Sequence, residues 1–191
     1  MRVVIAAGGT AGHILPALAV ARVLADTGAD VRFVGTAAGQ ESRLVPEAGF
    51  ALETVDVRPF PRRPSRALAA AGLAAVRAVG ACTSLVADAD VVLGMGGYVS
   101  LPVGIAASRA HRPLVIHEQN AIAGQANRIL ARRATVVALG VEAARASFPA
   151  RTPIRVVGTP LRRAVVDAAS PRSWFPTRTR RPITRPPTRA S

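Results

Sequence analysis

The sequence predicts an α/β fold with a doubly wound parallel sheet and helices on both faces. Short apolar runs rich in valine and isoleucine alternate with segments of helical periodicity along most of the chain, which is typical of repeated βαβ units. The runs are continuous rather than alternating, as in strands that helices cover on both sides. Seven runs are predicted to be strands: Val3 to Ile5, Val31 to Val34, Leu52 to Val55, Val91 to Leu93, Leu114 to His117, Val136 to Leu139 and Ile154 to Val157.

The first predicted strand leads into a helix that is expected to begin near Leu15. Apolar residues recur at helical spacing from residue 14 to residue 24, Pro16 stands in the first turn, and Gly28 follows the end. These are the usual positions of proline and glycine around a helix. Further helices are predicted over three segments: Arg66 to Leu85, a segment beginning at Pro102, and Gln125 to Arg132.

Length and composition allow one hydrophobic core. The chain has 191 residues, of which 50% are hydrophobic, so it can bury the core of one domain with a short appendage. Cys82 is the only cysteine, which excludes an internal disulfide and suits a reducing compartment. Arg2 is followed at once by a predicted strand rather than a long apolar segment, so we expect no signal peptide and a cytoplasmic protein.

The positive charge is concentrated at one end of the chain. The formal net charge is +14, and residues 169–191 are rich in arginine and proline and contain no acid. We predict a disordered tail there, which leaves residues 1–168 as the folded domain. Aromatic residues make up only 4% of the chain, and without aromatic side chains on which bases can stack, no nucleic-acid partner is expected.

A glycine-rich turn is the first candidate site. Residues Gly8 to His13 read Gly-Gly-Thr-Ala-Gly-His and join the first strand to the first helix. Small residues let backbone N–H groups approach an anion, and the helix dipole points its positive end at the same place. A neutral histidine can also accept a proton there. The turn therefore predicts chemistry beside a phosphate group.

The spacing of this turn excludes two common nucleotide sites. The glycines do not follow the G-x-G-x-x-G pattern, and the second strand runs into Gly35 and Thr36 where an NAD site would place an acid. A P-loop needs a lysine, and the chain contains none. Neither NAD binding nor P-loop hydrolysis of ATP is expected.

Three more motifs are predicted to lie at the carboxyl ends of strands, where open α/β sheets bind ligands. Gly94 to Ser100 supplies glycines for close backbone approach together with the hydroxyl groups of Tyr98 and Ser100. His117 to Asn120 follows the fifth strand, and Gly158 to Arg162 follows the seventh and brings a guanidinium group. Asp88 and Asp90 have the spacing of a metal-binding pair but precede their strand, so we expect no metal there.

These motifs resemble those of the MurG family of bacterial N-acetylglucosaminyltransferases. The resemblance covers about residues 1–168 and rests on four segments: Gly8 to His13, Val92 to Ser100, His117 to Gly124, and Gly158 to Arg162. It implies a Rossmann-like domain that forms the N-terminal half of a two-domain, GT-B glycosyltransferase. Thr159 stands where the family usually has asparagine. The second domain, which holds most of the donor nucleotide in that family, is expected to be absent.

The resemblance implies an inverting transfer of N-acetylglucosamine. The donor would be UDP-N-acetylglucosamine, and the acceptor would be the 4-hydroxyl of the muramoyl sugar of lipid I, an undecaprenyl-diphosphate muramoyl-pentapeptide, which becomes lipid II. The implied base is His13, with Glu118 and His117 as competitors. The implied substrate-binding residues are Thr10, Ala11, Gly12, Gly96, Gly97, Tyr98, Ser100, Asn120 and Arg162. No metal or cofactor is implied, since helix dipoles can stabilise the leaving diphosphate.

Membrane contact is a further expectation. The basic loop from Arg58 to Pro64 and the apolar face of the following helix suit anionic lipid headgroups, although a core-facing helix with a solvated rim explains the same pattern. The resemblance implies a peripheral protein at the cytoplasmic face of the bacterial membrane.

Two other functions share these motifs. One is a non-catalytic module that binds a polyprenyl-diphosphate sugar at a membrane, and the other is a different UDP-sugar enzyme of the same fold, such as an epimerase. Without a second domain the isolated chain is expected to be weakly active or inactive. The arginine- and proline-rich end is typical of a truncated or frameshifted gene.

Overall fold

The computed structural model describes residues 1–57 and 66–161 as an α/β domain with a parallel sheet. The predicted loop from Arg58 to Pro64, the tail, the domain boundary at residue 168 and Arg162 lie outside these residues. Strands in the described part are β1 (Arg2–Ala6), β2 (Asp30–Gly35), β3 (Ala51–Thr54), β4 (Val91–Gly94), β5 (Leu114–Glu118), β6 (Val136–Leu139) and β7 (Ile154–Val156). Helices are α1 (Ala11–Asp26), α2 (Glu41–Glu47), α3 (Arg66–Val86), α4 (Ser100–Arg109) and α5 (Gln125–Leu130), with a 3-10 helix at Glu142–Ser147.

The strand order is β3-β2-β1-β4-β5-β6-β7, with every pair parallel. The order reverses between β1 and β4, and a crevice for ligands opens at such a switch point, outside the carboxyl ends of the strands. All seven predicted strands are present, and the predicted doubly wound sheet is confirmed.

Helices cover both faces because successive side chains of a strand point to opposite sides. Val3 and Ile5 of β1 pack in one apolar cluster with residues of α1 and α2, such as Ile14. Val4 packs in the other cluster, with α3, α4 and α5. Cys82 of α3 is fully buried there, and burial raises the pKa of its thiol to about 11, so it packs as a small hydrophobic residue.

Three element boundaries differ from those expected. Helix α1 begins at Ala11 rather than near Leu15, so Pro16 lies inside the helix instead of in its first turn. Helix α4 begins two residues before Pro102, and α5 ends at Leu130. Gly28 does end α1, with a φ of 82° and its N–H donating to the Ala25 carbonyl. The short helix α2 was not expected at all.

The acidic pair Asp88 and Asp90 lies at the amino edge of the sheet, beside Arg2. Asp90 accepts the Arg2 backbone N–H at 2.7 Å, and Asp88 forms an ion pair with the Arg2 guanidinium group. Asp30 accepts from the same guanidinium at 2.9 Å. Arg2 thus ties the starts of β1, β2 and β4 together, on the edge opposite the glycine turns.

Candidate active site

The first glycine turn connects β1 to α1 and leaves an open helix terminus. Gly9 has a φ of 90°, and Thr10 is extended, with its carbonyl accepting from the N–H groups of His13 at 3.0 Å and Ile14 at 3.3 Å. The N–H groups of Ala11 and Gly12 have no acceptor within the described part of the chain. Because the first N–H groups of a helix have no partner within it, they can bind an anion.

The second glycine turn packs directly on the first. Gly96 and Gly97 have φ values of 97° and 80°, which side chains disfavour. A Cβ on Gly97 would lie under 3.0 Å from the carbonyl oxygen of Gly8, and one on Gly96 would lie 2.7 Å from Cδ2 of His13. The two turns therefore approach this closely only because both positions are glycine.

Ser100 supports the second turn through hydrogen bonds to the backbone. It is fully buried, and its hydroxyl accepts from the Gly96 N–H at 3.1 Å while lying 2.8 Å from the Gly96 carbonyl and 3.2 Å from the Ala6 carbonyl. The hydroxyl is fully engaged by backbone groups. That Ser100 also offers its hydroxyl to a substrate stays a prediction.

Tyr98 spans the space between the first turn and the end of β2. Its ring lies over Gly9, since a Cβ there would be 3.4 Å from Cε1 of Tyr98. Its hydroxyl is 3.5 Å from Oγ1 of Thr36, the residue that follows β2. Tyr98 is half-buried, so part of the side chain remains accessible beside the turn.

His13 lies in the first turn of α1, where it contacts both glycine turns. Its Nδ1 is 3.2 Å from Oγ1 of Thr10, and its ring packs on Gly96. Burial lowers the pKa of this imidazole, and the negative charge of Glu118 opposes the shift to a smaller extent. The ring is therefore neutral at pH 7 and can accept a proton.

Glu118, at the end of β5, is 2% exposed, and donors from the following loop and from α5 surround its carboxylate. Oε1 accepts from the backbone N–H and the side-chain amide of Asn120, both at 2.9 Å. Oε2 accepts from the Gly124 N–H at 3.0 Å and from Nδ2 of Asn127 at 2.9 Å. Four donors occupy the carboxylate, so Glu118 is placed to fix the loop between β5 and α5.

His117 is also enclosed, at 3% exposed. Its Nε2 donates to the Gly158 carbonyl at 3.0 Å, and its Nδ1 has no partner among residues 1–57 and 66–161. Burial lowers the pKa of His117, and the Gly158 hydrogen bond and the charge of Glu118 oppose this shift. The ring links β5 to the turn after β7, with its proton fixed on Nε2.

The motifs after β4, β5, β6 and β7 lie next to one another. Gln119 donates from Nε2 to the Met95 carbonyl at 3.0 Å. A Cβ on Gly140 would lie 2.6 Å from Oγ1 of Thr159 and 3.2 Å from Cα of Gln119. The predicted substrate-binding residues that are described therefore share one edge of the sheet, following β1, β4 or β5. Arg162, the residue after Leu161, lies outside the described residues.

Glu41 is a part of the site that the sequence analysis missed. It lies at the start of α2 and is fully buried. Its Oε2 accepts from the Gly9 N–H at 3.1 Å, and its Oε1 accepts from the backbone N–H of Thr36 at 2.9 Å and from the Thr36 hydroxyl at 2.7 Å. A carboxylate of the chain itself thus takes the Gly9 N–H, which leaves Ala11 and Gly12 as the open donors.

Replacing Glu41 with alanine is expected to lower the free energy of unfolding by about 2–4 kcal/mol, because it leaves several enclosed donors without an acceptor. Urea denaturation measures this change. Glu47→Ala is the matched control, since Glu47 lies on the same helix and forms an exposed ion pair with Arg43; its loss should cost less than about 1 kcal/mol. Equal losses in the two variants would contradict the role given to Glu41.

Comparison with known proteins identifies the family. The profile of the glycosyltransferase family 28 N-terminal domain matches residues 3–139. The UDP-N-acetylglucosamine--N-acetylmuramyl-(pentapeptide) pyrophosphoryl-undecaprenol N-acetylglucosamine transferase of Acidithiobacillus ferrooxidans is 46% identical over 175 residues, covering 91% of this chain and 47% of its own. The chain spans about half the length of the curated relatives it matches.

Solved structures agree with this match. The crystal structure of Acinetobacter baumannii MurG aligns with a TM-score of 0.68 and 34% identity, over 80% of this chain and 44% of that one. The UDP-GlcNAc 2-epimerase of Methanocaldococcus jannaschii aligns with a TM-score of 0.63 and 16% identity, over 83% and 46%, and shares the fold alone. The predicted resemblance to the MurG family is confirmed, and the chain belongs to glycosyltransferase family 28, whose N-terminal domain it contains.

Proposed function

We propose that this chain is the acceptor-side part of an inverting glycosyltransferase. The reaction moves N-acetylglucosamine from UDP-N-acetylglucosamine to the 4-hydroxyl of a muramoyl sugar carried on polyprenyl diphosphate, the step that gives lipid II in peptidoglycan synthesis and so serves cell growth, shape and division. The observation that carries this proposal is the pair of N–H groups at the start of α1, beside His13, that lack an acceptor in the described part of the chain. The second glycine turn packs against this helix start. The names of the relatives support the two substrates.

The diphosphate of the acceptor is proposed to bind at the first turn. The N–H groups of Ala11 and Gly12 have no acceptor within the described residues and lie at the start of a 16-residue helix, where the helix dipole adds positive potential. Thr10 and the Gly96–Gly97 turn border this place. Asn120, which follows β5, is proposed to contact a diphosphate. Arg162 is proposed to do so too.

His13 is proposed to act as the general base. It takes the proton from the attacking hydroxyl while that oxygen bonds to the anomeric carbon, and the bond from this carbon to the UDP oxygen breaks. UDP leaves with the electron pair, and the anomeric configuration inverts. Glu118 and His117 are 2% and 3% exposed and already hydrogen-bonded, so we assign them to positioning.

A peripheral position on an anionic membrane surface is the proposed location, at its cytoplasmic face. An apolar groove between α3 and α4 is lined by Val79, Leu101 and Ile105, with Arg109 at its edge. Val76 beside it is 68% exposed, and an apolar surface bordered by arginine suits anionic headgroups. No helix in the described ranges is long and apolar enough to cross a bilayer.

The direct test is a grafted enzyme, in which this chain replaces the matching segment of the Acidithiobacillus ferrooxidans relative. We expect the graft to transfer radiolabelled N-acetylglucosamine to lipid I, and the chain alone to do so at least about a hundredfold more slowly, because a site held from one side loses orientation of the donor. A graft that is folded but inactive, while the parent relative is active, would contradict the proposal.

A further inference from the structure

A cleft with a mixed apolar and polar lining lies beside the first glycine turn, between the ends of β2 and β3. It encloses about 650 Å³ and is lined by residues that follow β2, by residues 54–57 at the end of β3, and by Tyr98. This volume falls within the usual range of small-molecule sites, about 300–1,000 Å³. Neither the fold nor the transfer chemistry described above requires a space of this size at this end of the sheet.

The lining of the cleft is suited to a ligand that donates hydrogen bonds. Thr36, Thr54 and Tyr98 supply hydroxyl groups, and Asp56, which is exposed, supplies a carboxylate. Ala37 and Ala38 are small and leave the space open. The cleft has no arginine among its described lining residues, so its charge is opposite to the one that attracts phosphate. A carboxylate accepts hydrogen bonds from amide N–H and ammonium groups.

The cleft is continuous with the proposed diphosphate site. Tyr98 lines the cleft and lies over Gly9 of the first turn. Glu41 links the first turn to the cleft, because it accepts hydrogen bonds from both Gly9 and Thr36. A ligand whose diphosphate sits at Ala11 and Gly12 can therefore extend past Tyr98 into the cleft. The buried carboxylate of Glu41 fixes the position of the first turn relative to the cleft.

We propose that this cleft binds the peptide arm of the acceptor, with Asp56 accepting from its amide or ammonium groups. This inference rests on the proposed function. The acceptor's diphosphate joins a polyprenyl chain to the sugar, and the sugar carries the peptide. The polyprenyl chain has no hydrogen-bond donor for the carboxylate and hydroxyl groups of the lining. The sugar must stay at the first turn to present its hydroxyl to His13. The peptide is the remaining part, and its backbone N–H groups match the acceptors of the cleft.

The test compares two soluble probes on the full chain: UDP-N-acetylmuramyl-pentapeptide and UDP-N-acetylmuramic acid, which lacks the peptide. Calorimetric titration is expected to show about tenfold tighter binding of the peptide-bearing probe. Asp56→Asn, which removes the charge, and Ala38→Trp, which fills the cleft, should each reduce this preference to within about twofold. Inorganic pyrophosphate should bind all variants equally, because its site does not include these residues.

Asp26→Asn is the matched control, since Asp26 is an exposed acid at the far end of α1, and it should keep the tenfold preference. Equal binding of the two probes to the native chain, or a preference that survives both cleft substitutions, would overturn the peptide assignment and leave the diphosphate site standing. Failure of the native chain to bind either probe or pyrophosphate would instead overturn the proposed function, and the cleft assignment with it. Asp56→Asn alters no packing, so it decides the matter even where Ala38→Trp disturbs the fold.

Discussion

Replacing His13 with alanine is expected to lower kcat of the grafted enzyme by about a thousandfold, within the range that a general base contributes. The imidazole is the only one of the three candidate bases that is more than 3% exposed and lies at the surface of the glycine turns. KM for the acceptor should change little, because the N–H groups proposed to bind the diphosphate belong to the backbone. Initial rates at saturating donor measure both constants.

The pH dependence of the same reaction gives a second reading of His13. Burial lowers the pKa of His13 below the ordinary value of 6.5, and the neutral ring is the form that accepts a proton. As the pH falls, the midpoint of the decline in kcat/KM should therefore lie below pH 6.5. The decline should disappear from the residual activity of His13→Ala.

His111→Asn is the control for His13→Ala. His111 is an exposed histidine with a φ of 54°, a conformation that asparagine tolerates, and it precedes β5 at the opposite edge of the sheet. The control should keep the native kcat. A His13→Ala enzyme with more than about a tenth of the native kcat would show that another group takes the proton.

The strands could be predicted from the sequence because a parallel sheet covered on both faces needs continuous apolar runs. The runs at Val3 to Ile5 and Val136 to Leu139 are continuous and apolar, and each forms a strand. Helix α2 was missed because its seven residues include Pro46 and show no apolar periodicity. It forms because Val45 and Glu41 are buried against the sheet, a tertiary effect that no local pattern records.

That the motifs lie close together could also be predicted, since the carboxyl ends of parallel strands lie at one edge of the sheet. The contacts between Gly97 and Gly8 and between Gln119 and Met95 confirm it. What the sequence could not separate was a polar group that faces the crevice from one that holds the crevice together. Ser100 and Glu118 are polar residues beside a turn, and both are buried among donors and acceptors that only the folded chain supplies.

Glu41 is a buried polar residue that the local sequence does not predict. A charged residue in a short polar segment is normally solvated, and nothing within α2 indicates otherwise. Its partners are Thr36, five residues away, and Gly9, 32 residues away. The one available signal is the presence of glycine at three positions around it, because a Cβ on Gly8, Gly35 or Gly39 would lie under 3.0 Å from the Glu41 side chain.

Replacing Glu118 with alanine is expected to lower the free energy of unfolding by about 3–5 kcal/mol, since each enclosed donor left without a partner costs about 1–3 kcal/mol. The Gly124 N–H and Nδ2 of Asn127 lose an acceptor on one side, and both donors of Asn120 lose theirs on the other. Denaturation in urea measures the loss. Glu142→Ala removes an exposed acid paired only with Arg145 and should change stability by less than about 1 kcal/mol.

A double-mutant cycle with Asn127→Ala separates the contribution of the Glu118–Asn127 hydrogen bond from the other effects of removing the Glu118 side chain. Asn127 is 2% exposed and donates to Glu118 and to the His117 carbonyl, so part of the cost of Glu118→Ala is the stranded amide of Asn127. Removing both side chains should therefore cost less than the sum of the single losses, by about 1–2 kcal/mol. Simple additivity would show that the carboxylate does not hold the loop through this amide, and the assignment of Glu118 to positioning rather than proton transfer would lose its basis.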